Sequence, residues 1–533
     1  VGYAAGQAIT TGTYNTLIGG LAGDSLTTGS ENIAIGYAAL SSEDANGKNI
    51  AIGINALEDL NAGADAYNIA IGHDTGRNVS TGAFNTLIGG LAGDALTEGN
   101  TNVALGYRSL SAETLGDANV AIGANALKNQ NNTSDTDVYN VAVGASAGLS
   151  ITTGIKNTII GGLAGDALTT GEKNTAVGYN ALSSEDTGSR SVAVGHDALT
   201  SQNIDGAAYN TAVGYNTGGN ISTGVENAML GGLAGDAITT GSYNVAVGTS
   251  ALGANTKSNA NVAIGNSALG QHNLTSSSAG YNVAVGFNAG VNVTTGTHNT
   301  IIGALAGDSL TTAANNVVFG YSALSAETGS TSSVAIGTEA LKNQNVGSGG
   351  AYNVAIGDGA GKEITSALYN TLVGGQAGDA ITTGSQNTAV GTFTLSANQE
   401  GKKNVAIGYG SLNVMNPSSA SDTYNVAIGY HSGLSVSTGV ENVLIGALAG
   451  DALTTGHYNV AIGTRALSSE DGHGYCVAIG RDALKNQNAG ANAFNVAVGY
   501  QAGLEVTTGT NNIIMGSYAG DALTTGAYNV AIG

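Results

Sequence analysis

Tryptophan is absent from this sequence, proline occurs once, at Pro417, and cysteine once, at Cys476. A lone cysteine excludes an intrachain disulfide. A lone proline excludes collagen, which also needs glycine at every third residue. Charged residues are only 10% of the chain, with 15 basic against 37 acidic and a net charge of −22. That sign opposes a phosphate backbone, so nucleic acid is not an expected partner. No run of about 18 apolar residues occurs, so no membrane insertion is expected within this segment. The chain opens Val1-Gly2-Tyr3 and closes in mid-motif at Asn529 to Gly533. It therefore reads as a fragment of a longer array, with any targeting signal, anchor or tip lying outside it.

Glycine is plentiful, 85 of 533 residues, and hydrophobic residues are 42%. The second figure is too high for disorder. Gly, Ala, Asn, Thr, Val and Ile dominate, a composition that suits short strands joined by tight turns.

Internal repetition decides the fold class. A motif close to Asn-Val-Ala-Ile-Gly recurs from end to end, its Asn landmark falling at Asn15, Asn32, Asn49, Asn68, Asn85, Asn102 and onward to Asn529. The usual spacing is 17 residues, and of thirty such starts only Ser191, Ser333 and Cys476 lack Asn. The Gly four residues on never varies, as at Gly19, Gly36, Gly53 and Gly72. Four kinds of unit follow in fixed order. The first carries Gly-x-Ala-Gly-Asp, the second an acidic turn such as Ser183 to Asp186. The third is the longest, often contains Leu-Lys-Asn-Gln-Asn (Leu127 to Asn131) and ends in Tyr or Phe. The fourth ends in Thr-Thr-Gly or a variant, as at Ser80 to Gly82. First-type units begin at 15, 85, 157, 227, 299, 370, 442 and 512, a superrepeat of 70 to 72 residues.

The expected architecture is all-β: a parallel β-solenoid, or β-roll, of about 31 short rungs of 17–21 residues, running as one continuous region over 1–533. Val-Ala-Ile is a short strand with its first and third residues on one face and Ala on the other. Both faces are apolar, so one is expected to face the solenoid interior and the other a neighbouring layer or subunit. A second short strand is expected at Ala39-Leu40 and its equivalents, giving two or three strands per coil. The Gly permits a positive φ or close backbone approach. The Asn residues are expected to stack as a side-chain amide ladder, with a weak rung at Cys476.

Asn-Val-Ala-Ile-Gly-Tyr-x-Ala-Leu resembles the head repeats of YadA-like trimeric autotransporter adhesins and the similar repeats of bacteriophage tail-fibre shafts. The resemblance covers essentially the whole chain. It implies a homotrimeric fibre displayed outside a cell or on a virion, serving as a shaft or stalk for attachment to a host cell or surface. A glycan or other host-surface receptor would then be met through loops or a tip. The reading from another class is a solenoid that binds glycan or ice through a repetitive face; the interrupted Thr-Thr-Gly pattern weighs against a flat Thr array.

Catalytic chemistry is not expected. The seven His residues are scattered over different rung positions without metal-ligand spacing, and the acidic positions recur with the superrepeat. No cofactor is implied. The one metal reading concerns the Asp of the first-type units: Asp24, Asp94, Asp166, Asp236, Asp308, Asp379, Asp451 and Asp521. Stacked near acids of the next rung (Glu43, Asp44, Glu113, Glu185, Asp186, Glu470, Asp471), these could offer oxygen ligands to Ca²⁺. The plainer reading is Asp accepting backbone N–H groups in a turn. Two sets of Tyr, one before the Asn landmark (Tyr67, Tyr139, Tyr209) and one after the Gly (Tyr37, Tyr107, Tyr179), serve either to stack on sugars or to cover the coil corner. The variable third-type turns (Asn131 to Val138, Gln271 to Gly280, Val414 to Thr423) are the expected place for any binding.

Overall fold

The computed structural model describes every residue except 135, which falls within the turn from 131 to 138. The chain divides into two compact units, Val1–Asn261 with Asn273–Ser278, and Val262–His272 with Ala279–Gly533. Each is a parallel β-solenoid. The first holds fourteen strands, from β1 (Thr16–Ile18) and β2 (Ile33–Ile35) to β14 (Val245–Val247); the second holds sixteen, from β15 (Val262–Ile264) to β30 (Val530–Ile532). All thirty are three residues long, one per rung. Within a unit each strand pairs in parallel with the next without register shift, Thr16 opposite Ile33 and Leu17 opposite Ala34.

The solenoid matches the expectation, but the coil does not hold two or three strands. The Ala-Leu pieces are turns. Ala38 and Leu40 both have φ of 53°, and Asn55 and Leu57 have 54° and 50°. The residue before the landmark is left-handed as well, as at Tyr14 (60°) and Tyr67 (53°). Each such non-Gly residue costs about 1 kcal/mol, which the rung-to-rung hydrogen bonds offset. Those bonds continue around the coil outside the strands: Leu21 N–H to Tyr3 O (2.8 Å), Gly23 N–H to Ala39 O (3.0 Å), Ser42 N–H to Glu58 O (3.0 Å).

The strand's middle residue points inward and is buried in every strand except the first and last. In second and third rungs, as at Ala34 and Ala51, a fully buried Leu six residues later (Leu40, Leu57) fills the interior. In first rungs the middle residue is large and that later residue is Gly: Leu87 is followed by Gly93, where an added methyl would press against Leu87 itself. Fourth rungs carry Ala and Gly together (Ala70, Gly76), and Leu87 and Leu57 of the neighbouring rungs reach into the space at Gly76, so volume is exchanged between rungs. The column of Gly19, Gly36, Gly53 and Gly72 has φ between 135° and 142°. A side chain on Gly36 would collide with the Gly53 carbonyl, so both the positive φ and the close approach are real.

Candidate functional surfaces and buried polar sites

Between the first and last rungs the Asn landmarks are buried, and direct amide-to-amide bonds join many of them, as from Asn244 Nδ2 to Asn227 Oδ1 (3.2 Å), beside a more constant bond from the main chain. The Asn32 main-chain N–H donates to Asn15 Oδ1 (2.9 Å), while Asn15 Nδ2 donates to Gly29 O of its own rung (2.8 Å). The same pair of bonds recurs at Asn85, whose N–H donates to Asn68 Oδ1 (2.9 Å) and whose Nδ2 donates to Gly99 O (2.9 Å). In first, second and fourth rungs the Asn closes its own coil and receives the next one. Third-rung Asn residues donate instead to the rung before, as from Asn119 Nδ2 to Asn102 Oδ1 (3.0 Å) and Asp117 O (3.3 Å).

Cys476 leaves no gap. Its N–H donates to Asn459 Oδ1 (3.1 Å), and Gln487 Nε2 lies 2.9 Å from its Sγ. Gln487 Oε1 in turn accepts Asn495 Nδ2 (2.8 Å). Ser191 and Ser333 are served alike by Gln202 (2.8 Å) and Gln344 (3.0 Å). All three lapses of the landmark stand in third rungs that carry Gln eleven residues on. Sequence reading singled out the lapses and the Leu-Lys-Asn-Gln-Asn motif without joining them.

A second buried polar column was also missed. Glu43, Glu113, Glu185, Glu327 and Glu470 of the second rungs are fully buried. Glu113 Oε1 accepts the N–H groups of Thr114 (3.0 Å), Leu115 (3.2 Å), Gly116 (2.9 Å) and Asn132 (3.1 Å). Its Oε2 accepts Gln130 Nε2 (2.7 Å) and Asn132 Nδ2 (3.2 Å). Glu327 is held alike by Thr328, Gly329 and Ser330 N–H and by Gln344. Burial pushes the Glu327 carboxyl up, yet the bonds from Ser330, Val346 and Gln344 outweigh it and leave it below the usual carboxylate range.

The first-type Asp residues have a different environment. One side-chain oxygen of Asp24, Asp94, Asp166, Asp308 and Asp379 is buried without a hydrogen-bond partner. Burial raises the carboxyls of Asp94, Asp166, Asp236, Asp308 and Asp379. Asp451 Oδ1 accepts Ser468 Oγ of the next rung (2.5 Å). Among the described residues the one trio with metal-ligand proximity is Glu470, Asp471 and His473, which includes none of the eight Asp residues.

The aromatic columns are exposed. Tyr67 stacks on Phe84 (5.6 Å, 10°) and Tyr352 on Tyr369 (5.6 Å, 6°); Tyr179, His196 and Tyr215 follow one another on successive rungs. Rings stacked on each other present edges rather than faces to solvent. The first Thr hydroxyl of these turns is committed too: Thr27 donates to Asp44 O and Thr97 to Thr114 O of the next rung (3.0 Å each). His272 is buried among the third-rung interior positions, and burial lowers it to about 4.

The outer strand face is open on every rung. The first and third strand residues are half-buried or exposed on every rung. None of these sixty side chains is charged, and apart from Thr all are apolar. Leu230 is 51% exposed and Phe319 52%. In the first unit the face is notched beside Tyr209, Glu226 and Ala228. No helix among the described residues is long and apolar enough to cross a membrane. No family model matches the chain, and no curated protein matches it.

Proposed function

We propose that the chain is a structural segment of an extracellular fibre, a shaft or stalk supporting attachment to a host cell or surface, and that it works as a homotrimer rather than as an enzyme. The observation that carries this reading is the outer strand face, an uncharged strip of Val, Ile, Leu, Phe, Met and Thr repeated on every rung. Scattered apolar residues on a surface are ordinary, whereas a contiguous strip marks an interaction site. Covering the remaining half of an Ile or Val side chain is worth about 1 kcal/mol, so many rungs acting together supply a large association energy. A second and third copy of the same chain are the occupants best matched to a strip that repeats at the rung spacing. The exposed ring edges, and the commitment of the first Thr hydroxyl of each turn to the next rung, give less support to a sugar-stacking or ice-binding face.

Sedimentation of the chain tests the proposal: a trimeric mass is expected, and a monomer would defeat the reading.

A further inference from the structure

Third rungs alone vary in length, from 19 residues (Asn49 to Asn68) to 21 (Asn119 to Asn140). Their turns nevertheless leave and rejoin the coil at the same places. At the root, the N–H of the residue thirteen after the landmark donates to the buried Glu of the rung beneath: Asn132 to Glu113 (3.1 Å), Ile204 to Glu185 (3.2 Å) and Val346 to Glu327 (3.1 Å). Ala62 reaches Glu43 at 3.4 Å. At the return, a short parallel bridge ties the loop to the end of that same second rung, Asp117 with Asp137, Ser189 with Ala207 and Thr331 with Gly350. Gln130, Gln202 and Gln344 then join the carboxylate to the interior of the third rung.

We infer that this buried glutamate is a loop anchor, and that with its glutamine and the return bridge it forms a socket in which third-rung loops can be exchanged without disturbing the coil. Glu113 acts here as a positioning residue, holding four main-chain N–H groups drawn from two successive rungs. Asn398, which stands in its place in the rung before the loop at Asn416 to Thr423, is too short to do this. It bonds only Gly401 of its own turn, accepting at 2.8 Å and donating at 3.0 Å. The inference rests on the solenoid itself and not on the fibre role.

Hydrogen exchange of the whole chain tests it, comparing the native protein with Glu113→Asn. The variant carries the shorter side chain that at Asn398 bonds only its own turn, so the Asn132 amide should exchange about tenfold faster, the consequence of losing one buried hydrogen bond, while the Val120–Ile122 amides stay protected. Unchanged exchange at Asn132 would overturn the anchor. A Gly/Ser octapeptide placed between Thr133 and Ser134, or instead between Thr114 and Leu115, supplies an independent reading. The first insertion should leave the melting temperature nearly unchanged and the second should lower it. Equal losses at the two places would overturn the socket.

Discussion

Gln487 and Cys476 lie 2.9 Å apart, amide nitrogen to sulfur, at the one rung where the landmark amide is replaced by a thiol. The same Gln amide donates to Glu470 Oε2 (3.1 Å) and accepts from Asn495 (2.8 Å), so one side chain links three rungs. Gln487→Ala should cost about 2 kcal/mol or more, since it leaves several buried groups without partners. Cys476→Asn in that background should restore part of the loss. Chemical denaturation of the single and double variants reads both effects, and a neutral Gln487→Ala would remove the compensating role.

His272 occupies the interior position that Gln fills in four other third rungs and that Leu60 and Met415 fill in the remaining two. Burial lowers its pKa to about 4 in the folded chain, against 6.5 ordinarily. The unfolded chain therefore takes up the proton first, and stability should fall as pH drops from about 6.5 toward 4. His272→Gln should flatten this part of the pH profile. An identical slope in the variant would show that other groups set it.

Asp308 and Glu327 should respond to acid with opposite signs. The Asp308 carboxyl is raised by burial, so its charged form opposes folding at neutral pH and the penalty eases as pH falls through the raised value. Glu327 is held below the usual range, so its contribution is present above the unfolded value and is lost as pH falls through the folded one. Asp308→Asn should accordingly stabilise at neutral pH with an advantage that shrinks in acid. Glu327→Gln should destabilise at neutral pH and converge on the native protein in strong acid. Thermal melts across pH check the two slopes, and parallel slopes would contradict the assignment.

Leu87 fills interior space that Gly76 and Gly93 leave open, both lying where an added methyl would meet Leu87. Leu87→Ala should cost 2–5 kcal/mol, the usual range for a buried Leu. Adding Gly93→Leu would restore the pattern of a second-type rung and should recover part of the loss, offset by the left-handed backbone at that site (φ 57°). A double variant less stable than Leu87→Ala would show that volume exchange does not govern this interior.

The parallel register was legible because Asn15, Asn32 and Gly19, Gly36 mark equivalent places on every rung, and stacking equivalent places is what a solenoid does. The coil outline was less legible. Leu40 and Leu57 look like strand residues, yet they sit in left-handed turns because their side chains are wanted inside. The buried carboxylates were read as turn acids because Glu113 and Glu185 stand beside Ser, Thr and Gly. Only the fold shows that Glu113 points inward, toward an amide from the next rung. The amide ladder was legible, as at Asn119 and Asn102 (3.0 Å), but its second bond was not: Asn15 Nδ2 turns back to Gly29 of its own coil, a closure that a repeat spacing cannot reveal.

Cryo-electron microscopy of the purified chain tests the central claim, that the uncharged strand face packs against further copies of itself. The account predicts threefold symmetry with Val, Ile and Leu230 of the outer strand face turned toward the axis. Single-chain particles with that face open to solvent would contradict it.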